Sequence, residues 1–156
     1  MDEQQPAIGQ FDHIGIAVKS IEQASQFYQQ TLGATPRGVF THHSGEFNVG
    51  IFDLNGFCIE LIEPIDENGF LAKYIARYGE GVHHLTLQTP NLVEQTERLE
   101  ERGVRVVEKN FDRKKGGVTA FISPRSSHGV LIQLGENIGP LNNYPYWTKE
   151  SAESSE

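Results

Sequence analysis

The chain has 156 residues, 37% of them hydrophobic and 22% charged, with a formal net charge of −8 at pH 7. That length suits one globular domain able to bury a sizeable core, and the composition excludes a fibre or a disordered chain. The acidic balance speaks against a general nucleic-acid binder, and no apolar run nears the ~20 residues that would cross a membrane.

The pattern along the chain sets an α+β fold. Residues 1–10 are polar, lack the apolar core of a secretion signal and are expected to form a flexible tail. With a single cysteine, Cys58, an intrachain disulfide is ruled out, and a cytoplasmic protein is expected. Phe11–Val18 alternates as a strand, with Ile14, Ile16 and Val18 on one face and His13, Gly15 and Ala17 on the other. Ser20 and Gln23 have capping-box spacing. Ile21, Ala24, Phe27, Tyr28 and Leu32 follow at helical intervals up to Gly33. Gly38–Phe40 and Phe47–Asp53 read as strands around a polar loop, and Asn55-Gly56 turns the chain into the strand Phe57–Ile62. Phe70–Tyr78 has helical periodicity and stops at Gly79.

A second strand opens at Val82, with Leu85 and Leu87 on one face and His84, Thr86 and Gln88 on the other. Asn91 and Glu94 then cap a helix ended by Gly103. Val104–Glu108 and Val118–Ser123 read as strands around the loop 112–117, and Gly129–Leu134 closes the series. The expected organisation is one domain over 11–135: module one at 11–65, a connecting helix at 70–79 and module two at 82–135. A C-terminal extension over 136–156 is expected to be partly disordered, with an aromatic stretch at Pro140–Trp147 that packs on the body.

Each module reads βαβββ, and the second repeats the first. His13 and His84 are offset by 71 residues, Glu60 and Gln133 by 73. Two such units predict a pseudo-twofold, cupped, mostly antiparallel sheet. The four polar residues then occupy symmetry-matched strand positions. Imidazole, carboxylate and amide oxygen together suit a divalent first-row transition metal, so His13, Glu60, His84 and Gln133 are the candidate ligands. Taken singly, each is as well explained as a hydrogen-bonded polar residue at a strand end; it is their joint recurrence that favours a metal. Gly15 leaves room for a ligand. His83 is expected on the face opposite His84, and His42, His43 and His128 fall in polar loops, so none of these four is a ligand. Tyr28, Phe40, Phe52 and Phe121 read as core, and Arg113, Lys114 and Lys115 as a solvated basic loop or a phosphate contact.

The paired units, opened by His-Ile-Gly-Ile-Ala-Val and Gly-Glu-Gly-Val-His-His, resemble the vicinal-oxygen-chelate superfamily of glyoxalases, extradiol dioxygenases and resistance proteins. Within it, the methylmalonyl-CoA epimerases are the nearest match. The likeness spans Phe11 to Leu134 and includes Ile59–Pro64, Leu71–Tyr74, Ser123–Ser126 and Gly129–Ile132. It implies one divalent ion per chain, with zinc foremost and Co, Ni, Mn or Fe as alternatives, held by His13, Glu60, His84 and Gln133. It implies proton loss next to a carbonyl with a metal-stabilised enolate, a small-molecule substrate that includes acyl-CoA esters, and a homodimer.

The sequence departs from the epimerase pattern in its bases. The epimerases carry carboxylates at Gln133 and near Asn48, and an amide takes up no proton. Glu60 restores a carboxylate to the metal set. Glu46, expected on the same strand face as Asn48, is the substitute base, though such a residue is as often an exposed charge at a loop end. Asn48, Arg125 and Ser126 are implied substrate contacts. The alternatives are a glyoxalase-like lyase, an Fe(II) dioxygenase built on His13, His84 and Glu60, and a non-catalytic binding protein.

Overall fold

In the computed structural model, which describes residues 8–115 and 117–136, strand β1 (Phe11–Ala17) leads into helix α1 (Ile21–Gln26). Strands β2 (Thr35–Thr41), β3 (Phe47–Leu54) and β4 (Phe57–Pro64) complete the first unit. Helix α2 (Phe70–Tyr78) connects it to β5 (Gly81–Thr89), helix α3 (Leu92–Glu101), β6 (Val106–Asn110), β7 (Thr119–Ile122) and β8 (Ile132–Glu136). The eight strands make one open sheet in the order β2-β3-β4-β1-β5-β8-β7-β6. The order reads the same from either end once β1 is matched to β5, so a pseudo-twofold passes between these two strands. β1 runs parallel to β4 and β5 parallel to β8; the other five pairings are antiparallel. No helix among the described residues is long and apolar enough to cross a membrane.

Local chemistry accounts for most of the elements. Ser20 Oγ accepts the amide of Gln23 and Asn91 Oδ1 that of Glu94, each satisfying a donor that the first turn of a helix leaves unpaired. Asn55 and Gly56 both take positive φ in the β3–β4 turn. Helices α1 and α3 cover one face of the sheet over two clusters, one containing Val18, Ile21, Phe52 and Leu61, the other Leu92, Ala120 and Leu134. On the opposite face α2 buries Leu71 and Ile75 against Val49, Ile51 and Ile62. Each such side chain contributes about 2 kcal/mol by leaving water. That packing closes one end of the cup and leaves its middle open.

Some elements differ from the sequence reading. After Gln26 the first helix widens into a π turn over Phe27–Thr31, with Leu32 N donating to Phe27 O at 3.2 Å. The wider turn shifts the helical phase, so Phe27 and Leu32 face solvent instead of the core. β2 is longer than Gly38–Phe40. The closing strand begins at Ile132 rather than Gly129, because positive φ at His128 and Gly129 keeps the preceding residues in a turn. Gly9 and Gln10 at the end of the expected tail exchange backbone hydrogen bonds with Gln88. Residues 1–7 and the expected extension beyond Glu136 lie outside the described residues.

The β1–β5 ladder carries two irregularities. Phe11 faces Leu87 but His13 faces Thr86, so Asp12 is an extra residue in β1; Gly15 faces His84 but Ile16 faces Val82, so His83 is an extra residue in β5. An extra residue is a β-bulge, which re-aims the side chains beside it.

Candidate metal centre and its pocket

His13, Glu60 and His84 meet where β4, β1 and β5 lie side by side. One ligand atom from each lies within 4.8 Å of the others, and all three side chains are buried. Nε2 of His84 is 3.2 Å and Nε2 of His13 3.4 Å from Glu60 Oε2. Among the described residues, that oxygen is the buried side-chain atom with no hydrogen-bond partner. A buried carboxylate oxygen without a partner is costly, and native proteins rarely tolerate one. The residues present fit a cation: ligands ~2.1 Å from one ion stand roughly 3.0–3.4 Å apart, the spacing found here.

The surroundings orient the rings. His13 Nδ1 lies 2.6 Å from Asp12 Oδ2, and Gln88 Nε2 donates to the other oxygen of Asp12 at 2.6 Å. Thr86 Oγ1 lies 3.0 Å from His13 Nε2 and donates to Gln133 Oε1 at 2.8 Å. Gln133 is therefore adjacent to the triad through Thr86. His84 Nδ1 lies 3.0 Å from His83 Nδ1. The space that Gly15 leaves is filled by the ring of His84 itself: a Cβ there would meet Cε1 at 2.1 Å.

The triad lies in the wall of a pocket of about 580 Å³. Its remaining wall includes Glu46, Phe47, Phe70, His83, Glu108, Phe121, Leu131 and Gln133. Of the other residues singled out in the sequence, Glu46 precedes β3 and reaches the pocket. Asn48 does not: it pairs with Glu63 on the face away from Glu60, and its Oδ1 accepts from Thr41 Oγ1 at 3.0 Å. Arg125 and Ser126 occupy the turn between β7 and β8, away from the pocket wall, where Ser126 Oγ accepts the amide of Arg105 at 2.8 Å. Phe121 lines the pocket, its ring 6.4 Å from that of His84, rather than filling the core with Phe52. Arg113 is paired with Glu136, so the basic loop is tied back to β8.

The sequence reading missed three contributors. His83 shares the pocket with His84, because the bulge turns two successive side chains the same way. Asp12 is buried beside His13 for the same reason. Glu108 lines the pocket from module two with a positive φ of 51°, a conformation non-glycine residues adopt at a cost. No periodic signal marks any of the three.

Electrostatics follow from the geometry. Burial alone would lower the pKa of His13, but the Glu60 carboxylate and then Asp12 raise it to about 9. Burial would raise that of Glu60, but His13 and then His84 hold it well below the carboxylate range. Burial, then the neighbouring His43, pushes His42 down to about 4; burial, then His84, does the same to His83.

The sign of each shift sets the stability of chelator-treated protein. The His13 contribution is complete below its unfolded value of 6.5 and is lost as pH rises through about 9. The Glu60 contribution is present above 4.5 and is lost only in strong acid. Protonating His42 and His83 costs stability as pH falls from 6.5 to about 4. Thermal unfolding of chelated protein is expected to show a maximum near pH 6.5, falling on both sides. A flat profile between pH 6 and 9 would remove the His13–Glu60 ion pair.

Comparison with known proteins gives the fold a lineage. Residues 12–121 match the model of the glyoxalase/bleomycin resistance protein/dioxygenase superfamily. The chain is 35% identical to the uncharacterized protein YqjC of Bacillus subtilis, over 87% of this chain and 98% of that one. It is 28% identical to the ethylmalonyl-CoA/methylmalonyl-CoA epimerase of Cereibacter sphaeroides, over 81% of this chain and 97% of the relative. A solved variant of the Streptomyces coelicolor methylmalonyl-CoA epimerase, in complex with 2-nitronate-propionyl-CoA, superposes with a TM-score of 0.73 at 26% identity. That match covers 85% of this chain and 100% of the other.

Proposed function

This chain belongs to the glyoxalase/bleomycin resistance protein/dioxygenase superfamily, and from that premise we propose a divalent-metal-dependent enzyme of the epimerase kind, moving a proton at a carbon next to the carbonyl of an acyl-CoA. The observation that carries the reading is the unpartnered Oε2 of Glu60, flanked by Nε2 of His13 and His84. These three residues would hold the ion, with Gln133 as the nearest further oxygen. A bound dication supplies Lewis-acid polarisation of a substrate carbonyl and favours the negative charge that builds as the neighbouring C–H bond breaks. The similarity to epimerases, one of them solved with an acyl-CoA analogue, supports the substrate class.

The chain's own residues supply the proton chemistry. Inverting a carbon centre needs one group to take a proton from one face and another to return it to the other. Besides Glu60, the pocket wall offers two carboxylates: Glu46 from module one and Glu108 from module two. Glu46 is the base in this reading, and Glu108 is the conjugate acid on the facing module. The amides of Asn48 and Gln133 take no part in proton transfer. Phe47, Phe70 and Phe121 exclude water from the space between the two acids.

The test is proton NMR in D2O on methylmalonyl-CoA with the metal-reconstituted protein. The α-hydrogen is expected to exchange, exchange stops on chelation, and Glu46→Gln slows it by about 10²–10⁴-fold, the usual contribution of a positioned base. Metal bound at one per chain without exchange would overturn the substrate and the reaction together.

A second reading uses the same observation. Two histidines and one carboxylate around open positions also suit Fe(II) and oxygen activation. Turnover that requires O₂ would select it, and unchanged anaerobic turnover would eliminate it.

A further inference from the structure

The two bulges of the β1–β5 ladder are related by the pseudo-twofold, and each falls at the residue immediately before a candidate metal histidine. Asp12 is the extra residue of β1 and His83 that of β5. In a regular strand the residue before a ligand points to the opposite face. Here the bulge brings it back to the ligand's side, where it meets the ring nitrogen turned away from Glu60. Asp12 Oδ2 lies 2.6 Å from His13 Nδ1, and His83 Nδ1 lies 3.0 Å from His84 Nδ1.

We infer that Asp12 and His83 are a symmetry-matched pair of positioning residues, which accept the Nδ1–H of His13 and His84 and so present both Nε2 lone pairs to one divalent cation. The inference rests on the metal reading above. An imidazole binds a metal through one nitrogen only if the other carries the proton, and the partner of that proton fixes both tautomer and ring angle.

The two halves are unequal. Asp12 is a buried carboxylate, itself held by Gln88, and makes the stronger, charge-assisted contact. His83 is an uncharged acceptor whose ring packs edge-on against Tyr74, centroids 4.7 Å apart, and near Phe70, both on α2. Tyr74 in turn donates to the carbonyl of Val82 at 3.1 Å. The connecting helix thus bears on His84 through His83, whereas His13 is set from within the sheet.

The experiment uses the full chain and four variants: His83→Asn, His83→Leu, Asp12→Asn and Asp12→Leu. Zinc affinity is measured by competition with a chromophoric chelator. The cobalt-loaded proteins are examined by proton NMR for exchangeable, hyperfine-shifted ring N–H signals. Thermal unfolding reports the fold of each variant. Wild type is expected to show two slowly exchanging N–H signals. His83→Asn, whose amide oxygen can replace the imidazole acceptor, keeps both signals and stays within about three-fold in affinity. His83→Leu loses one signal and binds zinc about 10–100-fold more weakly, the usual effect of removing an outer partner. Asp12→Leu loses the other signal, and Asp12→Asn keeps it with weaker binding.

Leucine variants that match wild type in affinity and signals overturn the inference and leave the metal centre standing. So does His83→Asn falling as far as His83→Leu, which would assign His83 to packing under α2. Wild-type protein that binds neither zinc nor cobalt overturns the metal reading and the inference with it.

Discussion

Replacing Glu60 with glutamine is expected to weaken zinc binding by at least about 100-fold, beyond the range typical of outer partners. Glu60 is the one carboxylate in the converging triad, so the substitution leaves a dication facing two neutral imidazoles and an amide in a buried setting. The same change acts on chelated protein. His13 owes much of its raised pKa to Glu60; without that carboxylate it falls from about 9 toward the ordinary value. Stability below pH 6.5 should then drop, because a buried imidazolium loses one of its two counter-charges. Removing one partner from a buried ion pair costs about 3–5 kcal/mol, and Asp12 retains part of the compensation, so about 3 kcal/mol is expected. Chelator competition and unfolding at pH 6 and pH 9 check both arms. Unchanged zinc affinity would take Glu60 out of the site.

Gly15→Ala is expected to be nearly as severe for the metal while keeping the fold. The new Cβ would stand 2.1, 2.5 and 2.7 Å from Cε1, Nδ1 and Nε2 of His84, so the ring must leave its place. Ladder pairing of Gly15 with His84 prevents the backbone from yielding instead. Losing one of three ligands predicts an affinity drop of about 100-fold, and overpacking a tight site costs about 1–3 kcal/mol of stability. The two lesions are the same lesion, so Gly15→Ala combined with His84→Ala should bind zinc no worse than His84→Ala alone. Additive losses in that cycle would show that the ring of His84 does not depend on Gly15.

The fold was legible because its cues are local and repeated. Ile14, Ile16 and Val18 against His13, Gly15 and Ala17 set the phase of β1, and Leu85 and Leu87 against His84 and Thr86 set that of β5. Ser20 and Asn91 mark the helix starts, and the 71-residue offset shows that the halves are copies. The same alternation points to the residues the structure brings together at the triad. What the sequence does not reveal is whatever breaks its own period. Alternation places His83 opposite His84 and says nothing of Asp12, because an inserted residue leaves no mark until the partner strand is known. Glu46 and Asn48, two apart, were assigned one face, but Glu46 precedes β3 and is not bound by its phase. The π turn after Gln26 displaced Phe27 and Leu32 from a helical stripe in the same way.

The two extra residues of the central ladder have a consequence for the sheet as a solid. Each alone is a dislocation: from Asp12 onward every pair would sit one step out of line with the pairs before it. The two have opposite sense, one in β1 and one in β5, and only three pairs lie between them: His13 with Thr86, Ile14 with Leu85 and Gly15 with His84. Outside that window the misfit cancels, and Ile16 with Val82 resumes the alignment that Phe11 with Leu87 began. A dislocation pair of this kind confines its distortion to the few residues between its members. The seam between the two modules can therefore hold an irregular, chemically specialised patch while the lattice on either side remains that of an ordinary sheet.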